Sequence, residues 1–126
     1  MSNQSNLLFT KEHEWLDIHG NEAKIGITNF AQSELGDIIF VEFPDVGDIF
    51  SKDDVFGTIE AVKTVADLFM PISGEVISIN DNIEDEPELI NSKPFDEGWI
   101  IKIRINDESE KESLLNEDKY KKLINV

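Results

Sequence analysis

The stretch Gly57-Thr-Ile-Glu-Ala-Val-Lys63-Thr-Val-Ala-Asp-Leu-Phe-Met-Pro71-Ile-Ser-Gly74 reads almost alike outward in both directions from Lys63-Thr64. Ile59 mirrors Leu68, Glu60 mirrors Asp67, Ala61 mirrors Ala66 and Val62 mirrors Val65. In an antiparallel pair joined by a two-residue loop, mirrored positions lie directly opposite each other. Like facing like then keeps apolar groups inward and acids outward on both strands. The pattern predicts a hairpin from Val55 to about Val76, with Lys63 at its tip. Lys63-Thr64 is a poor tight-turn pair, because such loops favour Asn-Gly or Asp-Gly, which accept positive φ. Something other than turn stability selects the lysine, and an amine displayed this way is open to a modifying enzyme. Opposed Glu60 and Asp67 would cost about a few tenths of a kcal/mol by like-charge repulsion. Such a cost is tolerable where a partner reads the acids, so Glu60, Val62 and Asp67 are candidates for recognition by that enzyme.

Outward from the hairpin, short strand patterns dominate. Leu7 to Ile27 holds two strand-like segments around the turn His19-Gly-Asn-Glu, and Ala23-Lys-Ile-Gly-Ile alternates as a half-buried strand does. Thr28 to Gly36 carries a capping residue, apolar Phe30, Ala31 and Leu35, and a closing glycine, which predicts a short helix. Ile38-Ile-Phe-Val-Glu-Phe-Pro44 predicts a buried strand stopped by proline. Glu75 to Asn80 and Trp99 to Ile105 alternate as two further strands. Asp107 to Ile124 carries Leu114, Leu115, Tyr120, Leu123 and Ile124 in a pattern that predicts a C-terminal amphipathic helix, capped by Asp107 or Ser109. The fold expected is mainly β, a compact sandwich or flattened barrel with peripheral helices, and residues 1–126 form one domain.

Net charge narrows the partners. At -16 overall, with no cluster of Lys or Arg, the surface repels nucleic-acid phosphates and anionic lipid heads. Neither nucleic-acid nor membrane binding is expected. Cysteine is absent, which excludes disulfides and thiolate metal sites, so any redox sulfur must come from elsewhere. With only His13 and His19 besides, no metal is expected. Asp81 to Glu88 is acidic but lacks the ligand alternation and central glycine of a calcium loop. No Ser-His-Asp, Cys-His or phosphate-loop arrangement is present. The opening Met1-Ser-Asn-Gln-Ser-Asn-Leu-Leu-Phe9 lacks a targeting pattern, so a cytoplasmic, bacterial protein is expected.

Glu60-Ala-Val-Lys-Thr-Val-Ala-Asp67, followed by Met70-Pro-Ile-Ser-Gly-Glu-Val76, resembles the lipoyl-attachment motif of the glycine cleavage system H-protein family. Matching segments run along nearly the whole chain in order: Lys11-Glu-His-Glu-Trp15, Gly26-Ile-Thr-Asn-Phe-Ala-Gln32, Leu35-Gly-Asp-Ile-Ile-Phe-Val-Glu-Phe-Pro44 and Asn91-Ser-Lys-Pro-Phe-Asp-Glu-Gly-Trp99-Ile-Ile-Lys-Ile103. The resemblance implies the hammerhead fold, a barrel-sandwich hybrid of two small antiparallel sheets, and one lipoate in amide linkage on Lys63. It implies a carrier and not an enzyme. Glycine decarboxylase (P protein) would load an aminomethyl group on the arm, aminomethyltransferase (T protein) would pass the one-carbon unit to tetrahydrofolate, and dihydrolipoamide dehydrogenase (L protein) would reoxidise the dithiol. Lipoate ligase or octanoyltransferase, with lipoyl synthase, would install the cofactor.

In this family the loaded arm folds into a cleft on the carrier, where a cationic amine favours carboxylates. Glu14 and Asp67 are the candidates here. Glu12 and Glu34 depart from the neutral or histidine side chains of some members, which puts the cleft's detailed chemistry in question. An alternative use of the same lysine is a relay that donates its lipoyl or octanoyl group to 2-oxoacid dehydrogenase subunits. A biotin carrier fits less well, since its lysine usually lies between methionines whereas Val62 and Thr64 flank Lys63. A rival from another class is an unmodified acidic binding module that touches its partner through the hairpin.

Overall fold

A computed structural model describes residues 7–124. Met1 to Asn6, part of the segment read as free of a targeting pattern, lie outside the described residues. Two antiparallel sheets make up the framework. The larger runs β1 (Leu8–Phe9), β2 (Glu14–His19), β3 (Glu22–Ile27), β9 (Ile101–Ile105), β8 (Gly74–Ile79) and β5 (Ile49–Phe50) in spatial order. The smaller has β6 (Val55–Ala61) between β4 (Ile38–Glu42) and β7 (Val65–Phe69). Alternation sends Leu16, Ile25, Val76, Ile101 and Ile103 from the first sheet, and Ile38, Val41, Ile59 and Leu68 from the second, into one shared core.

β2 is buried on both faces. Leu16 enters the main core, while Trp15 joins Leu7, Phe9 and Tyr120 in a second apolar cluster. The indole lies across its partner Gly26, where a Cβ would come within 2.7 Å of the ring, and its N–H donates to the Pro94 carbonyl at 2.8 Å. Only glycine permits that approach.

Of the helices, α1 (Asn29–Leu35) matches the expected cap pattern. Thr28 accepts from the Ala31 N–H, and Gly36 closes the helix with its N–H on the Gln32 carbonyl. Short helices α2 (Asp81–Asp85) and α3 (Leu89–Ser92) follow β8. The segment expected as one helix over Asp107–Ile124 is divided. A 3₁₀ helix, Glu108–Ser113, is capped by Asp107, and α4 (Glu117–Leu123) begins afresh at its own cap, Asn116. Between them Leu115 is drawn into a two-way backbone bridge with Phe9, N–H to carbonyl at 2.7 Å each way, which takes it out of helical geometry.

Two further expectations change. The β6–β7 hairpin pairs Glu60 with Val65, Ile59 with Ala66 and Thr58 with Asp67. Its loop is therefore Val62-Lys63, closed by the Ala61 N–H on the Thr64 carbonyl at 2.8 Å. The mirror reading placed the register two residues away. A two-residue slip returns every side chain to its own face, so the sequence pattern is equally content with either pairing. Glu60 and Asp67 are consequently diagonal neighbours and escape the direct opposition expected of them. The hairpin strands end at Phe69, and by Gly74 the chain has crossed to the other sheet. β4, expected to be buried, is an edge strand with Ile39 and Phe40 exposed beside a register shift.

Candidate functional site

Lys63 is exposed at the hairpin tip and makes no ion pair among the described residues. Its turn is built without left-handed residues, since His13 and Asp53 alone among the described non-glycine residues have positive φ. The two-residue hairpin loops that match strand twist need positive φ, so this turn draws support from outside. The Val62 N–H donates to the Asp37 carbonyl at 3.0 Å, in the link between α1 and β4. That link is pinned by Asn91, whose amide nitrogen donates to the Gly36 carbonyl and to Gln32 at 2.9 Å and whose oxygen accepts from the Ile38 N–H at 2.9 Å. The lysine stem lies beside Gly36, where a Cβ would come within 3.2 Å of Cε.

Next to the tip, α1 and the inner face of the hairpin border a cleft of about 310 Å³. Phe30, Ala31 and Leu35 form one wall, and Ile59, Ala66 and Leu68 the other. Glu12, Glu14, Glu34 and Asp67 also line this mainly apolar space, Asp67 from a strand position that alternates with Ala66 and Leu68. Glu14 is 2% exposed. It accepts from the Thr10 hydroxyl at 3.1 Å and from the Phe69 N–H at 2.9 Å, which ties the start of β2 to the end of β7. Burial pushes its carboxyl up to about 8, the two hydrogen bonds oppose that shift, and Glu12 and Asp53 add to it. Glu14 is thus largely a neutral acid near pH 7. A cation entering the cleft would favour its ionised form.

Tyr120 of α4 does not line the cleft itself but contacts His13, which does. Its hydroxyl lies 2.7 Å from Thr28 Oγ1 and 2.9 Å from His13 Nδ1, while its ring stacks on Phe9. Thr28 Oγ1 also accepts from the Ala31 N–H, and with a second lone pair and its own proton it can either accept from or donate to the Tyr120 hydroxyl. Burial holds the His13 imidazole below its usual range, against Glu12 and Glu34. His13 itself has φ 68, and its ring sits 4.8 Å from that of Phe30.

Glu14 and Asp67 both line the cleft and Glu60 does not, although the strand register sets Asp67 on the same sheet face as Glu60; Val62 stands exposed in the loop. Glu12 and Glu34 line the cleft as well, so the departures noted in the sequence fall where they bear on its chemistry. Sequence reasoning missed Asn91 and the Tyr120–Thr28–His13 contacts. No local pattern marks either, since each joins residues more than fifty positions apart.

Two antiparallel sheets with an exposed lysine at a hairpin tip beside an acid-lined cleft are the arrangement of a lipoyl-carrier fold. Residues 7–126 match the family described as "Glycine cleavage H-protein". The chain is 48% identical over 125 residues to the glycine cleavage system H proteins of Bacillus cereus strains AH187 and Q1, covering 99% of this chain and 98% of each relative. The crystal structure of a glycine cleavage system H protein from Mycobacterium marinum superposes with a TM-score of 0.85 at 30% identity, over 97% of this chain and 98% of that one. The chain belongs to the glycine cleavage H-protein family. Among the described residues, no helix is long and apolar enough to cross a membrane.

Proposed function

We propose that this chain is the lipoyl-bearing carrier of the glycine cleavage system, with the cofactor in amide linkage on Lys63. It shuttles the aminomethyl group from glycine decarboxylase to aminomethyltransferase, is reoxidised by dihydrolipoamide dehydrogenase, and performs no catalysis of its own. The observation that carries the reading is the exposed Lys63, free of any ion pair among the described residues, beside an acid-lined cleft. Residues present fit the group. Lys63 offers an unhindered amine, and the apolar walls suit an aliphatic chain. The carboxyl groups of Glu14 and Asp67 suit a terminal ammonium. Lipoate, when bound, supplies the disulfide that accepts the one-carbon unit. The protein's own part is to hold the attachment nitrogen at a fixed place and to shelter the loaded end. Acylation neutralises the lysine, and stem plus arm span about a dozen ångström by bond counting, enough for one carrier to visit several active sites.

Intact mass spectrometry of natively produced protein, with peptide mapping around Lys63, tests the assignment. A lipoyl mass on that peptide is expected. Lys63→Arg keeps the charge and should abolish both labelling by lipoate ligase and glycine cleavage in a reconstituted system. Retained activity in that variant would instead favour an unmodified binding module. Acyl transfer from the loaded chain to 2-oxoacid dehydrogenase subunits, measured in the same preparation, would indicate the relay use.

A further inference from the structure

The outer face of the β4–β6–β7 sheet carries a row that no local reading of the sequence brings together. Strand pairing aligns Phe40 with Glu60 and Glu60 with Val65. Phe40 is 51% exposed and Val65 61%, and Ile39 and Val62 stand exposed at the same end of the sheet. Four of the eight exposed large apolar side chains among the described residues therefore crowd around Lys63. An edge strand that turns two adjacent apolar residues to water, next to the working amine, is a surface in want of a cover.

We infer that Ile39, Phe40 and Val65 form the docking strip for the enzyme that acylates Lys63, whose matching surface is apolar with a cation facing Glu60. The inference rests on the carrier reading above. What selects this occupant is reach. An acyltransferase must bring the lysine nitrogen itself within about 3.5 Å of its acyl carbon, so it has to enclose the tip and whatever lies beside it. Enzymes that use the loaded arm meet its far end, about a dozen ångström out, and can act without touching this face. The strip's central carboxylate, on a chain of net charge -16, sets the sign of the partner's complement.

The test is lipoylation of the apo protein by lipoate ligase, comparing wild type, Phe40→Ser, Val65→Ser and, as a distant control, Ile49→Ser. Because Phe40 and Val65 are half or more exposed, the variants should fold, which circular dichroism verifies. Each strip variant should lose about tenfold in kcat/KM, chiefly through KM, as truncation of an interface anchor does, and Ile49→Ser should match wild type. Unchanged kinetics in both strip variants, with wild type acylated at Lys63, would overturn the docking strip and leave the carrier reading standing. Wild type that is never acylated would overturn the carrier reading itself. Loaded Phe40→Ser is then offered to dihydrolipoamide dehydrogenase. Reoxidation at the wild-type rate is expected, and a loss equal to that in acylation would reassign the strip to partners of the loaded arm.

Discussion

Replacing Glu14 by Gln should flatten the pH dependence of this protein's stability. In the folded chain the Glu14 carboxyl is pushed up to about 8, against an ordinary value of 4.5, mainly by burial. Between those limits the unfolded chain has released the proton while the folded chain still holds it. Stability contributed by the protonated acid is then fully present below pH 4.5 and is lost as pH rises through 8. At about 1.4 kcal/mol per pH unit, the whole interval amounts to at most about 5 kcal/mol, less whatever water gains by entering the cleft. A glutamine side chain keeps the shape and cannot ionise. Urea unfolding at pH values from 4.5 to 8 should show wild type declining relative to the Glu14→Gln variant, with the difference tracking a titration seen directly at the Glu14 carboxyl carbon by NMR. Parallel stability curves for the two proteins, or a Glu14 carboxyl that titrates near its ordinary value, would refute the burial argument.

Asn91→Leu keeps the branched outline and the heavy-atom count but strands the Ile38 N–H and the Gly36 carbonyl, at about 1–3 kcal/mol for each group left unpaired. A lower urea midpoint with unchanged slope is expected, together with faster hydrogen exchange at Val62, because the Asp37 carbonyl loses its mooring. Gly36 has φ 85 and ψ -158, a region only glycine occupies comfortably, so Gly36→Ala should cost about 1–3 kcal/mol in thermal unfolding. A variant as stable as wild type would mean that the chain can relax there.

Much of the architecture was legible because its signals are local. The short strands announce themselves by alternation, Thr28 and Gly36 bracket α1, and the lysine hairpin is visible in its own mirror symmetry. What escaped was set by distant partners. Asp37 draws the Val62 N–H into the loop and so selects one of two pairings that bury the same residues. Phe9 captures Leu115 and breaks what reads as a continuous helix. β4 looks like a core strand by composition, and only its place at the sheet edge exposes Ile39 and Phe40. Glu14 and Asp67, expected from the resemblance, line the cleft, whereas Asn91 and Tyr120 act across the chain and leave no trace in spacing.

The hydrogen bond from Val62 to the Asp37 carbonyl ties the hairpin tip to the α1–β4 link and so restrains the anchor point. A crane whose mast does not sway covers a hemisphere determined by its boom alone. Rotation about the bonds beyond Lys63, and not bending of the hairpin, would then decide which reaction centres lie within range.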